Sequence, residues 1–333
     1  MPELPLVSVV ATTYNQVAYI GETLRSVFAQ TYPCYEVILV DDGSSDGTAD
    51  AVRPFLDRIT YIRQANQGVA GARNAGIARA RGGLIALLDG DDLWDREKLQ
   101  VQVDAFLRFP RAGLIAVNVD YFDGDAIVFP SSLRTILETI SPQHADECVS
   151  RPMYEQLLET NWIVTTSSVM IPAPVLREVG PSDPRFAIGS DYDLYLRIAE
   201  KYDVTLIGRV LAKWRFLPTS ASGAAEDRKW RWADEIVHVL AKHARSGRID
   251  KRAVLRQARN RSASRLAESV YMAEDQTGAA VAARRLTRLA LAAPTSWTPI
   301  WCLSKTLIPT PLRRAVGPVL RAMRRGRVSH SNV

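Results

Sequence analysis

Short runs of β-branched and aliphatic residues alternate with amphipathic helical patterns through the first 120 residues. That alternation narrows the fold more than any other feature of the chain. Leu6–Thr12 (LVSVVAT), Glu36–Asp41 (EVILVD), Thr60–Arg63, Leu84–Asp89 (LIALLD) and Gly113–Val119 (GLIAVNV) read as strands. Helical patterns fill the intervals at Tyr19–Ala29, Thr48–Leu56, Ala70–Ala80 and around Leu99, Val103 and Phe106, which fall at i, i+4 and i+7. Near-continuous apolar strands separated by helices require a parallel sheet covered on both faces, an α/β architecture. Between Asp120 and Pro152 the pattern dissolves into loop. It returns as a strand at Thr165–Ile171, a helix at Asp191–Glu200 and two closing strands, Val204–Val210 and Leu211–Phe216. After Gly223 only helical patterns remain, with Ile236, Val239, Leu240 and His243 on one stripe and Leu266, Val270 and Ala273 on another.

Composition excludes whole classes. With 47% apolar and 23% charged residues among 333, the chain is an ordinary globular protein, long enough to bury a core without staples. Its three cysteines, Cys34, Cys148 and Cys302, are far apart and form no CxxC, so neither a disulfide framework nor a zinc site is signalled and a reducing compartment is expected. No run approaches 18 apolar residues, and MPELPLVSVV lacks a basic segment before its apolar run, so neither spanning nor secretion is expected. The net charge of +6 conceals a split. Residues 1–222 carry 20 Lys and Arg against 28 Asp and Glu, a net of −8, whereas residues 223–333 carry 22 against 8, a net of +14. An acidic body of residues 1–222 and a basic helical extension of residues 223–333 are therefore expected as separate domains.

Polar residues cluster where the strands end. Thr12-Thr13-Tyr14-Asn15 follows the first strand, Asp41-Asp42-Gly43-Ser44-Ser45-Asp46 the second, and Asp89-Gly90-Asp91-Asp92 the fourth. In open α/β sheets ligands bind beyond the carboxyl ends of the strands. Each cluster also has a plain alternative: DDGSSDGT makes a good turn with Asp46 or Thr48 capping the next helix, and LLDGDDLW makes a DG turn. Three acids within four residues after a buried strand are nevertheless costly unless a cation or polar ligand neutralises them. An all-carboxylate set suits Mg²⁺ or Mn²⁺ bridging to a substrate diphosphate.

The stretches VSVVATTYNQ, EVILVDDGSSDGT, NQGVAGARNAGIARARGG, LIALLDGDDLWDREKL, TTSSVMI and GSDYDLYLRIAEK occur in the order and spacing of the family 2 glycosyltransferases of the GT-A fold, which residues 5–222 resemble. The resemblance implies a single mixed sheet with an antiparallel element and an inverting transfer of sugar from a nucleotide-diphospho-sugar (UDP-, GDP- or dTDP-linked) to a hydroxyl. It further implies that Thr12, Tyr14, Asn15 and Asp42 line the base and ribose pocket, with Asp41 beside them, and that Arg73 approaches the base or diphosphate. Asp91 and Asp92 match the pair that touches ribose and metal, Asp89 begins that motif, and Asp191 stands at the general-base position. The chemistry asks for the same groups: a carboxylate to deprotonate the acceptor, and a cation against the departing diphosphate. An alternative for Asp191 is a first-turn acid stabilised by its helix dipole, and Asp193 competes for either role. Ser190 replaces a Glu common in the family, and Leu217 stands where a His is usual. Trp162 is either an acceptor-stacking aromatic or plain packing.

The basic extension ends in PLRRAVGPVLRAMRRGR, with Trp297 and Trp301 upstream and an apolar stripe opposite arginines. Ala267–Pro294, broken at Gly278, reads as a helical hairpin. A peripheral contact with an anionic membrane surface fits best; a solvated helical face, docking on the acidic body or an oligomer contact are the alternatives, and no nucleic-acid-binding module accompanies the charge. The expected partners are thus a nucleotide-sugar and a glycan or lipid-linked acceptor of surface polysaccharide or glycolipid assembly, handled at the cytoplasmic face. A sugar nucleotidyltransferase is disfavoured because Thr12–Asn15 is not a Gly-rich basic loop, and a non-catalytic scaffold is disfavoured by the intact aspartates.

Overall fold

The computed structural model describes residues 4–124, 126–129, 133, 136–138, 148–215, 217, 235–243, 263, 279–292 and 302. The chain divides into two compact units, residues 1–228 and 229–333. The first is built on one sheet of ten strands: β1 (Val7–Thr13), β2 (Tyr35–Asp41), β3 (Thr60–Arg63), β4 (Leu84–Asp89), β5 (Leu93–Trp94), β6 (Ala112–Asp123), β7 (Ala126–Phe129), β8 (Cys148–Arg151), β9 (Val169–Pro172) and β10 (Asp203–Arg215). Their order is β3-β2-β1-β4-β9-β6-β10-β5, with β7 on β6 and β8 on β10. The helices are α1 (Ile20–Phe28), α2 (Thr48–Val52), α3 (Gly68–Ile77), α4 (Lys98–Arg108), α5 (Tyr154–Glu159), α6 (Ala173–Val179) and α7 (Ser190–Ala199).

The sheet is mixed, not uniformly parallel. β3, β2, β1 and β4 run parallel, β6 and β10 form a second parallel pair, and β9 joins the two blocks antiparallel to both β4 and β6. Register makes the functional edge. Thr12 lies level with Val40 and Asp89, and Thr13 with Asp41, so the polar clusters after β1, β2 and β4 reach one edge together. β1 is buried throughout because α1 and α3 cover the sheet; Val7, Val9 and Ala11 join Leu24, Val27, Leu88 and Leu99 in one core. Helix α3 comes close because residue 76 is glycine: a Cβ there would sit 2.4 Å from Val10 Cγ1.

Several expected boundaries move for identifiable reasons. The expected strand at Thr165–Ile171 begins as a 3₁₀ turn, Thr166–Ser168, with β9 following. Here Thr165 Oγ1 accepts from the Ser167 N–H at 3.1 Å, the local side-chain bond by which Thr and Ser compete with a ladder. The two closing strands are one, β10, irregular between Ile207 and Val210, where Asn118 Nδ2 donates to the Gly208 carbonyl at 3.0 Å. The region 120–152 expected to be loop contains the end of β6, then β7 across Gly124 at φ 56°, and β8 on the edge of β10. β8 is only half-buried and four residues long, so it shows no periodicity.

In the second unit all the described residues are helical. Ile236, Val239, Leu240 and His243 are all buried, as their spacing predicts, and helix Ala279–Ala292 buries Ala282, Leu286 and Leu289. The Leu266–Ala273 stripe and the basic stretch from residue 303 onward lie outside the described residues.

Candidate active site

The edge built by β1, β2 and β4 carries two kinds of aspartate. Asp41 is fully buried; its Oδ1 accepts from the Ser44 N–H at 2.8 Å and its Oδ2 from Tyr61 Oη at 2.7 Å. Those bonds fold the turn that follows β2, whose Gly43 has φ 84° and whose notional Cβ would lie 3.1 Å from the Gln64 carbonyl oxygen. Asp42 Oδ1 accepts from Gln64 Nε2 at 2.7 Å and from the Gln67 N–H at 2.9 Å. The loop after β1 is locked to the same turn: Asn15, at φ 52°, accepts at Oδ1 from the Ser45 N–H, and its own N–H donates to Ser44 Oγ. Thr12 is buried there, while the Tyr14 ring is half exposed beside it. The N-cap of α2 is Gly47 rather than Asp46 or Thr48, and Asp46, one residue before it, accepts from the Thr48 N–H and hydroxyl.

The Asp89–Asp92 turn separates its three acids by environment. Asp89 Oδ1 accepts from the buried Arg73 at 2.8 Å and Oδ2 from Thr166 Oγ1 at 2.9 Å. Asp92 is fully buried: Oδ2 takes the hydroxyls of Ser167 at 2.5 Å and Thr165 at 3.1 Å, and Oδ1 takes the Arg215 N–H at 2.9 Å. Burial and the charges of Asp91 and Asp89 hold its carboxyl well above the ordinary range. Asp91 is different. Its carboxylate is hydrogen-bonded by Gln16, and burial together with Asp89 pushes its pKa up to about 6. Beyond Gln16 it is the acid of the three with the fewest protein donors.

Three features that sequence reading missed hold this turn. Arg215, at the end of β10, donates from Nε to the Asp91 carbonyl at 2.9 Å and from NH2 to Glu22 at 2.7 Å. Its guanidinium also stacks on Tyr19 and Phe122, 4.7 and 4.4 Å from the ring centroids. The Thr165–Ser167 hydroxyls are the second feature, and Gln16 is the third. The only sequence signals were an arginine closing an apolar strand and a Thr-Thr-Ser-Ser run inside a buried segment.

Asp191 is the second residue of α7 and is partly exposed, with Oδ1 accepting from the Tyr192 N–H at 2.6 Å. Burial pushes its pKa up to about 6, against the opposing charge of Arg73. Asp193 faces away, fully buried in an ion pair with Arg197 at 2.9 Å. Arg197 also donates to the carbonyls of Val179, Gly180 and Pro181, and Asn74 makes two 2.9 Å bonds with the Ser182 backbone. The loop that delivers Asp191 is thereby fastened to the helix that carries Arg73. Near Asp191, Arg73 Nε and Tyr195 Oη are buried and lack a hydrogen-bond partner within the protein, as does Ser190 Oγ. Orphaned polar atoms of this kind await a ligand or water. Trp162 and Leu217 are half-buried.

Among the described residues no three His, Cys, Asp or Glu converge to hold a metal by themselves. Asp91 fits the way Mg²⁺ and Mn²⁺ are bound to substrate phosphates, through one or two carboxylates with the remaining ligands from phosphate and water.

The family model described as "Glycosyl transferase family 2" matches residues 8–179, more than half of the chain. The Escherichia coli relative described as UDP-Glc:alpha-D-GlcNAc-diphosphoundecaprenol beta-1,3-glucosyltransferase WfgD is 29% identical over 232 residues, 68% of this chain and 84% of its own. The chain spans about half the length of the first curated glycosyltransferases it matches, 54% and 41%. Staphylococcus aureus TarS 1-349 in complex with UDP-GlcNAc is similar at a TM-score of 0.59 and 15% identity over 90% of both chains. Mannosyltransferase PcManGT from Pyrobaculum calidifontis, in complex with GDP-Man and Mn²⁺, is similar at 0.54 and 22% identity, over 92% of this chain and 88% of its own. These likenesses establish the GT-A fold.

Proposed function

From the premise that the chain belongs to glycosyl transferase family 2, we propose that it is an inverting glycosyltransferase. It moves a sugar from a nucleotide-diphospho-sugar to a hydroxyl of a glycan or lipid-linked saccharide. The observation that carries this reading is that Arg73 feels the charges of both Asp89, in the turn that holds Asp91, and Asp191 on α7, which brings the two acidic groups to one cation. Asp42, Thr12 and Tyr14 receive the nucleoside. Arg73, with its orphaned Nε, offers a donor to the diphosphate. Asp91 would hold Mg²⁺ or Mn²⁺, which would supply positive charge against the departing diphosphate. Asp89 and Asp92 shape the turn, Asp92 through bonds that leave it no accessible face.

Asp191 accepts the proton of the attacking hydroxyl. Its raised pKa of about 6 makes it a stronger base than an exposed carboxylate while leaving it ionised at neutral pH. Attack from the face opposite the leaving group then inverts the anomeric centre. WfgD and TarS are described with UDP-sugars and PcManGT with GDP-Man and Mn²⁺, which supports a nucleotide-sugar and a divalent cation here without choosing the base. The charge of residues 223–333 favours an anionic membrane surface, although no described helix is long and apolar enough to cross a membrane.

A thermal-shift panel of UDP, GDP, dTDP and CMP, with and without Mn²⁺, tests the donor site. A bound nucleotide at about a hundred times its Kd stabilises by about 2.7 kcal/mol. One base should stand out and should need the metal; no shift with any nucleotide overturns the reading. Deleting residues 295–333 should release the chain from anionic liposomes, and undiminished binding refutes the membrane contact.

A further inference from the structure

Residues of α1, β5 and β10 line an open cleft of about 450 Å³ that the donor chemistry does not use. Its volume falls within the range of small-ligand sites. Three cations line it, from three elements: Arg25 on α1, Arg96 just after β5, and Lys213 on β10. All three are exposed, and none forms an ion pair or side-chain hydrogen bond among the described residues. The two acids in the lining are engaged elsewhere. Glu22 Oε2 accepts from Arg215, and Asp95 Oδ1 accepts from the Glu97 N–H at 2.9 Å. The floor is apolar, formed by Leu93, Leu211 and Ala212, with Val210 39% exposed at the rim.

We propose that this cavity is a second anion site, which binds the phosphate or diphosphate group of an ester whose remaining part is apolar. Two guanidinium forks and one ammonium match the several oxygens of a phosphate better than a single carboxylate, since arginine binds such groups in bidentate fashion and lysine adds a point charge. Even with Asp95 charged, and with Glu22 paired to Arg215, the lining keeps an excess of positive charge, which a polyanion offsets. The apolar floor has no use for a free inorganic ion and suits a hydrocarbon chain next to the phosphate. The cavity shares Glu22 with the Arg215 anchor, which in turn donates to the Asp91 carbonyl. The phosphate has two sources, the head group of a membrane lipid or a phosphorylated acceptor.

The test uses the full chain, free of divalent cations, so it does not depend on the donor-site reading. Calorimetric titration with inorganic pyrophosphate should show binding that the Arg25→Ala/Arg96→Ala/Lys213→Ala variant weakens at least about tenfold. A control with the same loss of charge elsewhere, Arg79→Ala/Arg108→Ala/Arg177→Ala, should bind as the parent does. Co-sedimentation with phosphatidylglycerol or phosphatidylcholine vesicles separates the sources. Weaker phosphatidylglycerol binding in the first variant than in the charge control assigns the site to a lipid head group, and vesicle binding equal in the two beside lost pyrophosphate binding assigns it to a phosphorylated acceptor. Equal pyrophosphate affinity in the parent and the first variant, an equal loss in the control, or no binding by the parent overturns the proposal.

Discussion

Asp91 and Asp92 are neighbours in the chain with different surroundings. Asp92 answers to Ser167, Thr165 and the Arg215 N–H, whereas Asp91 answers to Gln16. Asp92→Ala should therefore lower the thermal midpoint, since it orphans three buried donors at about 1–3 kcal/mol each, partly offset by the removal of a buried acid. Asp91→Ala should not lower the midpoint, because its folded pKa near 6 makes the buried carboxylate a cost at neutral pH, and it should raise the Mn²⁺ concentration needed for half-maximal turnover. Reversed results would exchange the two roles. Asp191→Asn should abolish turnover and leave nucleotide affinity intact. It should also stabilise the protein. A carboxyl with its folded pKa near 6 binds more protons folded than unfolded between about pH 4 and 6, so stability falls as pH rises through that window. Removing the charge should recover on the order of 1–2 kcal/mol at pH 7.5, allowing for partial exposure, read by thermal melting. Turnover of the parent should rise with pH through about 6 as Asp191 ionises.

At the scale of elements, β1, β2 and β4 were legible because each is largely an apolar run: β4 ends where the pattern says, and β1 and β2 within a residue. What the pattern missed is short or bonded sideways. β5 has two residues, too few for any period, and the Thr165–Ser168 hydroxyls turn a strand-like sequence into a 3₁₀ turn. Of the site, the acids were legible from their crowding. Arg215, Gln16 and Asn74 were not, because nothing in one sequence says that a residue far along the chain touches a turn. Asn74 is the element-scale lever, since its two backbone bonds to Ser182 tie α3 to the loop before α7. Asn74→Ala should lower kcat while leaving nucleotide Kd unchanged, and an equal loss in both would make it a general stabiliser. Gly76→Ala should cost about 1–3 kcal/mol in thermal or denaturant unfolding by wedging α3 away from Val10, in spite of the better helix propensity of alanine.

For the whole molecule, the +6 net charge is the sum of an acidic sheet domain, part of whose acidity is the Asp41–Asp46 and Asp89–Asp92 clusters, and a basic helical unit. Splitting the two should therefore split two activities: residues 1–228 alone should keep nucleotide binding and lose the share of vesicle affinity that the basic helical unit supplies. The central claim is that Asp191 and the Asp91 turn together transfer a sugar. The measurement that bears on it most directly is product release from UDP-, GDP- and dTDP-sugars with Mn²⁺ and a hydroxyl acceptor, for the parent and for Asp191→Asn. The parent should release a nucleoside diphosphate from one donor class, and Asp191→Asn none although it still binds that donor. Pyrophosphate as the product, or undiminished release by Asp191→Asn, would contradict it.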